Sequence, residues 1–271
     1  MPRRRSRLAG VGLAAALAAA APATAQANRA GSITKSAGDV TATVSWTAAH
    51  FGIADPQLVV RRAGATYDVT IQDVCGEGCI IVPDDRHTDA GHSMLKVADL
   101  DADGEPEVLV DTFSGGAHCC LTARLLTWTG SGYQPHDIAY GDVGYELRDA
   151  DGDGRPELVG YDPRFSAAFT YYAASAFPAQ VLQVDHGETV DVTRRFPKVV
   201  AADARRWRKE LRRAGRHTDI RGLLSAYVAD LYTLRRGTAA LRVLHHDVAR
   251  HRVGARYRQR LLRKLHAWGY R

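Results

Sequence analysis

The chain has 271 residues, 45% of them hydrophobic and 24% charged, with a formal net charge of +6; this composition suits a globular protein and supplies enough apolar side chains for a real core. The charge is divided unevenly: residues 28–193 carry 10 Lys+Arg against 25 Asp+Glu, whereas residues 194–271 carry 22 against 5. No apolar run approaches the roughly 20 residues needed to cross a bilayer as a helix, so no transmembrane segment is expected.

Residues 1–27 start with Arg3, Arg4, Arg5 and Arg7, continue through the apolar stretch Leu8 to Ala21 and end in small residues around Ala23, Ala25 and Ala27. That is the layout of a signal peptide, and the expectation is an exported chain, secreted or held in the cell envelope. A twin-arginine signal at Arg4-Arg5-Ser6-Arg7-Leu8 fits less well, because an Arg stands where an apolar residue is usual. Export puts nucleic acid out of reach of the basic C-terminal part. That part then either packs on the acidic half or meets an anionic envelope polymer, a glycan or a membrane surface.

Residues 28–195 read as β-structure. Val40 to Trp46 and Tyr67 to Ile71 alternate in character, Leu58-Val59-Val60 is a short apolar run, and Gly, Pro or Asp bound each segment. Leu121 to Trp128 runs into the turn Thr129-Gly130-Ser131-Gly132, and Ala179 to Val184 runs through Asp185-His186-Gly187-Glu188 into Thr189 to Val192; both read as hairpins. Residues 196–271 read as helices. Pro197 suits a helix start ahead of Lys198 to Ala214, with Gly215 as the expected cap. A second helix opens at Thr218-Asp219 and ends at Gly237, and two more run over Thr238 to Arg252 and Ala255 to Trp268, stopped by Gly254 and Gly269. The expected fold class is therefore α+β: a mainly antiparallel β domain of partial-propeller or sandwich type, followed by a small all-helical C-terminal domain.

Within the acidic half the sequence repeats itself. DLDADGEPEVLV from Asp99 aligns with DADGDGRPELVG from Asp149, and downstream Leu126 falls near Leu182 if the second copy carries a six-residue insertion. The repeats span residues 97–146 and 147–193, a period that suggests successive sheet units. Each copy places carboxylates at loop positions one, three, five and nine and Gly at six: Asp99, Asp101, Asp103, Glu107 with Gly104, and Asp149, Asp151, Asp153, Glu157 with Gly154. Four carboxylates within nine residues repel one another unless a cation lies between them. Calcium, which accepts six to eight oxygens in a flexible cage, suits them better than magnesium. The backbone carbonyls of Glu105 and Arg155, at position seven, complete the expected shells, and two calcium sites are expected. An EF-hand is excluded, since its bidentate Glu would fall at Val110 and Gly160. The pair, each followed by Pro106 or Pro156 and a strand-like run, resembles the calcium loops of the FG-GAP/VCBS repeat family. The resemblance covers Val97 to Val192 and implies integrin-like β-propeller blades, with calcium bound ahead of a blade strand. Two copies are too few for a complete seven-bladed propeller.

Four cysteines in an exported protein suggest two disulfides. Cys75 and Cys79 bracket three residues and Cys119 and Cys120 are adjacent; crossed pairing between the clusters and pairing within each remain open. His118, in the Gly-rich run before Cys119, is the best anchor for zinc or for hydrolytic chemistry, whereas His245-His246-Asp247 lie on different faces of a helix. The expected function is a binding or adhesion module of the cell envelope or exterior with structural calcium. The alternative is a calcium-dependent extracellular hydrolase working near His118.

Overall fold

Short alternating segments separated by tight turns pair with their nearest neighbours in sequence, and here they build three four-stranded antiparallel meanders. The computed structural model describes residues 30–48, 53–74, 94–116 and 119–271. The segment expected to be a signal peptide lies outside them. The first sheet contains β1 (Gly31–Ala37), β2 (Val40–Ala48), β3 (Ile53–Arg62) and β4 (Ala65–Val69). The second contains β5 (Leu95–Ala98), β6 (Glu107–Gly116), β7 (Cys119–Trp128) and β8 (Tyr133–Gly141), and the third β9 (Tyr145–Arg148), β10 (Glu157–Tyr161), β11 (Ala179–Asp185) and β12 (Glu188–Asp191). Four helices follow: α1 (Pro197–Arg213), α2 (Arg221–Thr233), α3 (Gly237–Ala249) and α4 (Ala255–Ala267). The fold is α+β and mainly antiparallel β, with a helical C-terminal part.

The sheets stack face to face. Val108 and Val110 of β6 join Val40, Val44, Leu58 and Val60 in one core, while Leu109 between them joins Leu158, Leu182 and Val184 in the next. Because successive side chains point to opposite faces, a strand buried on both sides reads as a continuous apolar run, and Val108-Leu109-Val110 is such a run. The stack ends differently on its two sides. The outer face of the first sheet is polar, with Thr34 meeting Thr43 and Ser36 meeting Thr41 through hydroxyls at 2.9 Å. Beyond the third sheet, α1 packs against β11.

The helices share their core with a piece of the third sheet. Residues 162–178 connect β10 to β11, and Phe165 and Phe169 from this connection are buried with Leu224, Val228, Leu244, Leu261 and Leu265. Asp162 is fully buried; it pairs with Arg164 at 2.6 Å and accepts a 2.8 Å hydrogen bond from the Tyr270 hydroxyl. Gly222 lets α2 approach this connection: a Cβ there would lie 1.9 Å from the Ala174 carbonyl oxygen. The insertion read from the sequence is therefore the segment that ties sheet to helices.

Several expectations need correction. β1 carries no alternation strong enough to have been read as a strand, and the first sheet is a third meander without an Asp-rich loop. Gly215 does not adopt a left-handed cap, since α1 ends at Ala214 in extended backbone. Gly237 begins α3 instead of ending α2, and Gly254 is the N-cap of α4 instead of a stop for α3. The left-handed positions after α2 and α3 are Arg235 (φ 58°) and His251 (φ 55°). Gly269 (φ 90°) does follow α4 as expected.

Candidate metal sites

Both Asp-rich segments are loops between the first two strands of a sheet. The ladder closes them at Ala98 opposite Glu107 and at Arg148 opposite Glu157. The two turns form alike. Asp99 accepts hydrogen bonds from the backbone N–H of Asp103 (3.2 Å) and Gly104 (3.0 Å), and Asp149 from those of Gly152 (2.6 Å), Asp153 (3.2 Å) and Gly154 (2.9 Å). Asp103 and Asp153 accept from the N–H two residues on, at 2.7 and 2.8 Å. Gly104 (φ 92°) and Gly154 (φ 90°) stand in the left-handed region, where a side chain would be strained. Asp99 and Asp149 thus hold the loop through its amides, and the N–H donors of Gly154, Gly152 and Asp153 hold the Asp149 carboxyl below its ordinary value.

Of the residues expected as ligands, the structure brings positions one, three and nine together. One oxygen each from Asp99, Asp101 and Glu107 lies within 4.8 Å of the others, and so do oxygens of Asp149, Asp151 and Glu157. Asp103 and Asp153 stay outside these clusters, exposed. The Glu105 side chain leaves the loop to pair with Arg62 at 2.6 Å, and Arg155 reaches the Val184 carbonyl at 3.0 Å.

Glu107 and Glu157 begin β6 and β10 and are buried, 1% and 0% exposed. In each, Oε2 accepts from the backbone N–H of loop position two, Leu100 at 2.8 Å or Ala150 at 2.9 Å. The other oxygens differ. Glu157 Oε1 accepts a 3.2 Å hydrogen bond from the Gln183 amide, which is itself held by Arg195 at 2.9 Å. Glu107 Oε1 is buried with no hydrogen-bond partner. Burial, with the charges of Asp101, Asp103 and Asp99 behind it, pushes the Glu107 carboxyl up to about 8 against the pull of the Leu100 N–H. Burial raises Glu157 as well. A buried carboxylate oxygen without a donor costs about 1–3 kcal/mol or more, so an arrangement that keeps one beside two further carboxylates is suited to a cation.

The first loop also touches both neighbouring sheets. Arg62, at the end of β3, holds Glu105, and the N–H of His186, in the turn between β11 and β12, donates to Asp101 at 3.1 Å. Sequence reasoning missed Arg62, His186 and Gln183. For Gln183 a signal existed: Val108 pairs with Leu126 and Leu158 with Leu182, so the six-residue insertion sets Gln183 opposite Thr127. Arg62 and His186 carry no local signal.

Cys75, Cys79 and His118 lie outside the described residues, as do the side chains of Cys119 and Cys120, whose backbone opens β7. His245 and His246 are exposed on α3, whereas Asp247 is buried and paired with Arg252 at 3.2 Å.

No family model matches the chain, and no solved structure matches it. A probable thylakoid lumen protein of Synechocystis is 34% identical over 145 residues, covering 51% of this chain and 43% of that protein. An uncharacterized protein of Sinorhizobium fredii is 30% identical over 139 residues, covering 51% of this chain and 21% of that protein. The chain thus spans less than half the length of each of these relatives.

Proposed function

We propose that the chain is an exported binding or adhesion module whose stacked sheets are tightened by two calcium ions, held in the manner of FG-GAP/VCBS loops. The observation that carries this reading is Glu107 Oε1, buried and without a donor, with Asp99 and Asp101 oxygens within 4.8 Å of a Glu107 carboxylate oxygen. Calcium would be held by Asp99, Asp101 and Glu107 with Asp103 and the Glu105 carbonyl, and by Asp149, Asp151 and Glu157 with Asp153 and the Arg155 carbonyl. It would supply the positive charge that the clustered carboxylates lack. A structural role suits the position, because each loop closes a strand pair and the first is also tied to both adjacent sheets. Export is supported by the basic and apolar start of the sequence and by the likeness to the Synechocystis relative, named a probable thylakoid lumen protein.

The test is a calorimetric titration of chelator-stripped protein. Calcium should bind at two sites per chain, and magnesium more weakly, because it demands a tighter octahedron. Failure to take up calcium would overturn the proposal.

A further inference from the structure

The acidic and basic halves do not neutralise each other through ion pairs: among the described residues, every salt bridge joins two residues on the same side of residue 194. Inside the helical part the few acids are already committed. Asp203, Asp230 and Asp247 are buried, Glu210 pairs with Arg213 at 3.4 Å, and Asp219 pairs with Arg221 at 2.6 Å. What the helices show to solvent is therefore overwhelmingly cationic.

The strongest stripe is on α1. Arg205, Arg208, Lys209 and Arg212 follow at spacings of three and four, so they share one face, and all are exposed. None has an ion-pair partner among the described residues, and each neighbouring pair within the stripe is a like-charge pair, which destabilises a helix. Favourable placement of cations near a helix C-terminus accounts only for the last turn and leaves Arg205, Arg208 and Lys209 unexplained. Exposed arginines continue on other helices, with Arg242 on α3, Arg250 at its C-cap, and Arg256 and Arg263 on α4.

Four features narrow the partner. The stripe is mostly arginine, whose planar fork suits the paired oxygens of a phosphate. The central helix α2, buried along most of its length, packs against α1, α3 and α4. The cations on those three therefore face away from it in diverging directions, which a flexible strand can follow and a flat bilayer cannot. A membrane-surface helix also needs an apolar wedge, yet the only strongly exposed large apolar side chain on the described helices is Leu241. Base-stacking platforms of the kind used for single-stranded nucleic acid are missing too: among the described residues the one strongly exposed aromatic, Tyr171, lies outside the helices.

We propose that the outer surface of the helical part docks a linear, base-free phosphodiester polymer, with Arg205, Arg208, Lys209 and Arg212 at its centre. The inference rests on the reading of the chain as a binding module and is independent of whether the loops hold calcium. The test uses the full exported chain and a fluorescein-labelled poly(glycerol phosphate), with binding followed by anisotropy across a salt series. Binding should weaken steeply as salt rises. Replacing all four residues by Gln should weaken binding about tenfold or more at low salt and reduce the slope of log affinity against log salt by about 3, taking roughly 0.7 per lost contact on a single strand. Replacing the three arginines by Lys should keep the slope but lower affinity if the guanidinium forks hold phosphates, and this variant decides the matter should the Gln variant fail to fold. Absence of polymer binding at low salt, an unchanged slope in a folded Gln variant, equal affinity for polygalacturonate, or tighter binding to phosphatidylglycerol vesicles would each overturn the proposal. Polymer binding by a protein that takes up no calcium would leave this inference standing and remove the calcium reading instead.

Discussion

Replacing Glu107 by Gln tests the first metal site in a way that loss of a ligand alone does not. The amide carbonyl can keep the 2.8 Å hydrogen bond from the Leu100 N–H, while the amide NH2 takes the place of the donorless Oε1 and brings a neutral donor into the carboxylate cluster. In chelator at about pH 9, where the natural Glu107 carboxyl, pushed up to about 8, is mostly ionised, the variant should therefore be more stable than the natural chain by about 1–3 kcal/mol, the cost of an unsatisfied buried polar group. In calcium at a thousandfold excess over its dissociation constant, the natural chain gains about 4.1 kcal/mol from that site, and the variant should lose this gain. The order of stabilities should reverse between the two conditions, with the natural chain ahead by about 1–3 kcal/mol in calcium by difference. Paired urea denaturations at about pH 9, one with chelator and one with calcium, measure both arms. A variant destabilised by the same amount in each would show that Glu107 is an ordinary structural carboxylate and refute the reasoning.

Three further outcomes are expected. Asp101→Ala should lower the calcium-loaded melting temperature more than Asp151→Ala, because the first loop is tied to both neighbouring sheets; equal shifts in a thermal scan would contradict this. Asp230 is buried, its carboxyl held well above the usual range first by burial and then by the charge of Asp203, while the Ala179 N–H donates to it at 3.3 Å. A raised acid stabilises the fold below its unfolded pKa near 4, and that stability falls as pH climbs toward the folded value, by up to about 1.4 kcal/mol per pH unit for each proton retained. Asp230→Asn should flatten this decline and raise stability at about pH 7, as read from melting temperatures across a pH series; an unchanged pH slope would refute the assignment. Phe165, packed against Phe169, Trp268 and Tyr270 with ring centroids 5.2–5.8 Å away, should cost about 3–5 kcal/mol when replaced by Ala. Since the residue belongs to a core shared by β-connection and helices, urea unfolding should remain one transition, and two separated transitions would show that the helices fold alone.

Wherever the forces act within a few residues, the sequence by itself determined the outcome. The alternation of Val40 to Trp46, the turn that follows Leu121 to Trp128, and the helix start at Pro197 all depend on local backbone and on which face of a local element is buried, and these elements stand where they were expected. The Asp-rich loops are legible for the same reason: Asp99 and Asp149 bond amides no more than five residues away, and Gly104 and Gly154 supply the left-handed backbone. Only the tertiary structure decided what crosses between elements. Stacking makes β6 a strand buried on both faces and brings Arg62 and His186 to the first loop from 43 and 85 residues away, and strand register places Gln183, 26 residues on, against Glu157. It also sends Phe165 and Phe169 into the helical core. These features follow from sheet register and from which faces meet, and neither leaves a period in the sequence. Hence the two loops can be read as a matched pair from their residues, while their difference, a donorless Glu107 against a bonded Glu157, follows from strand register, which sets Gln183 beside Glu157 where the first repeat has Thr127.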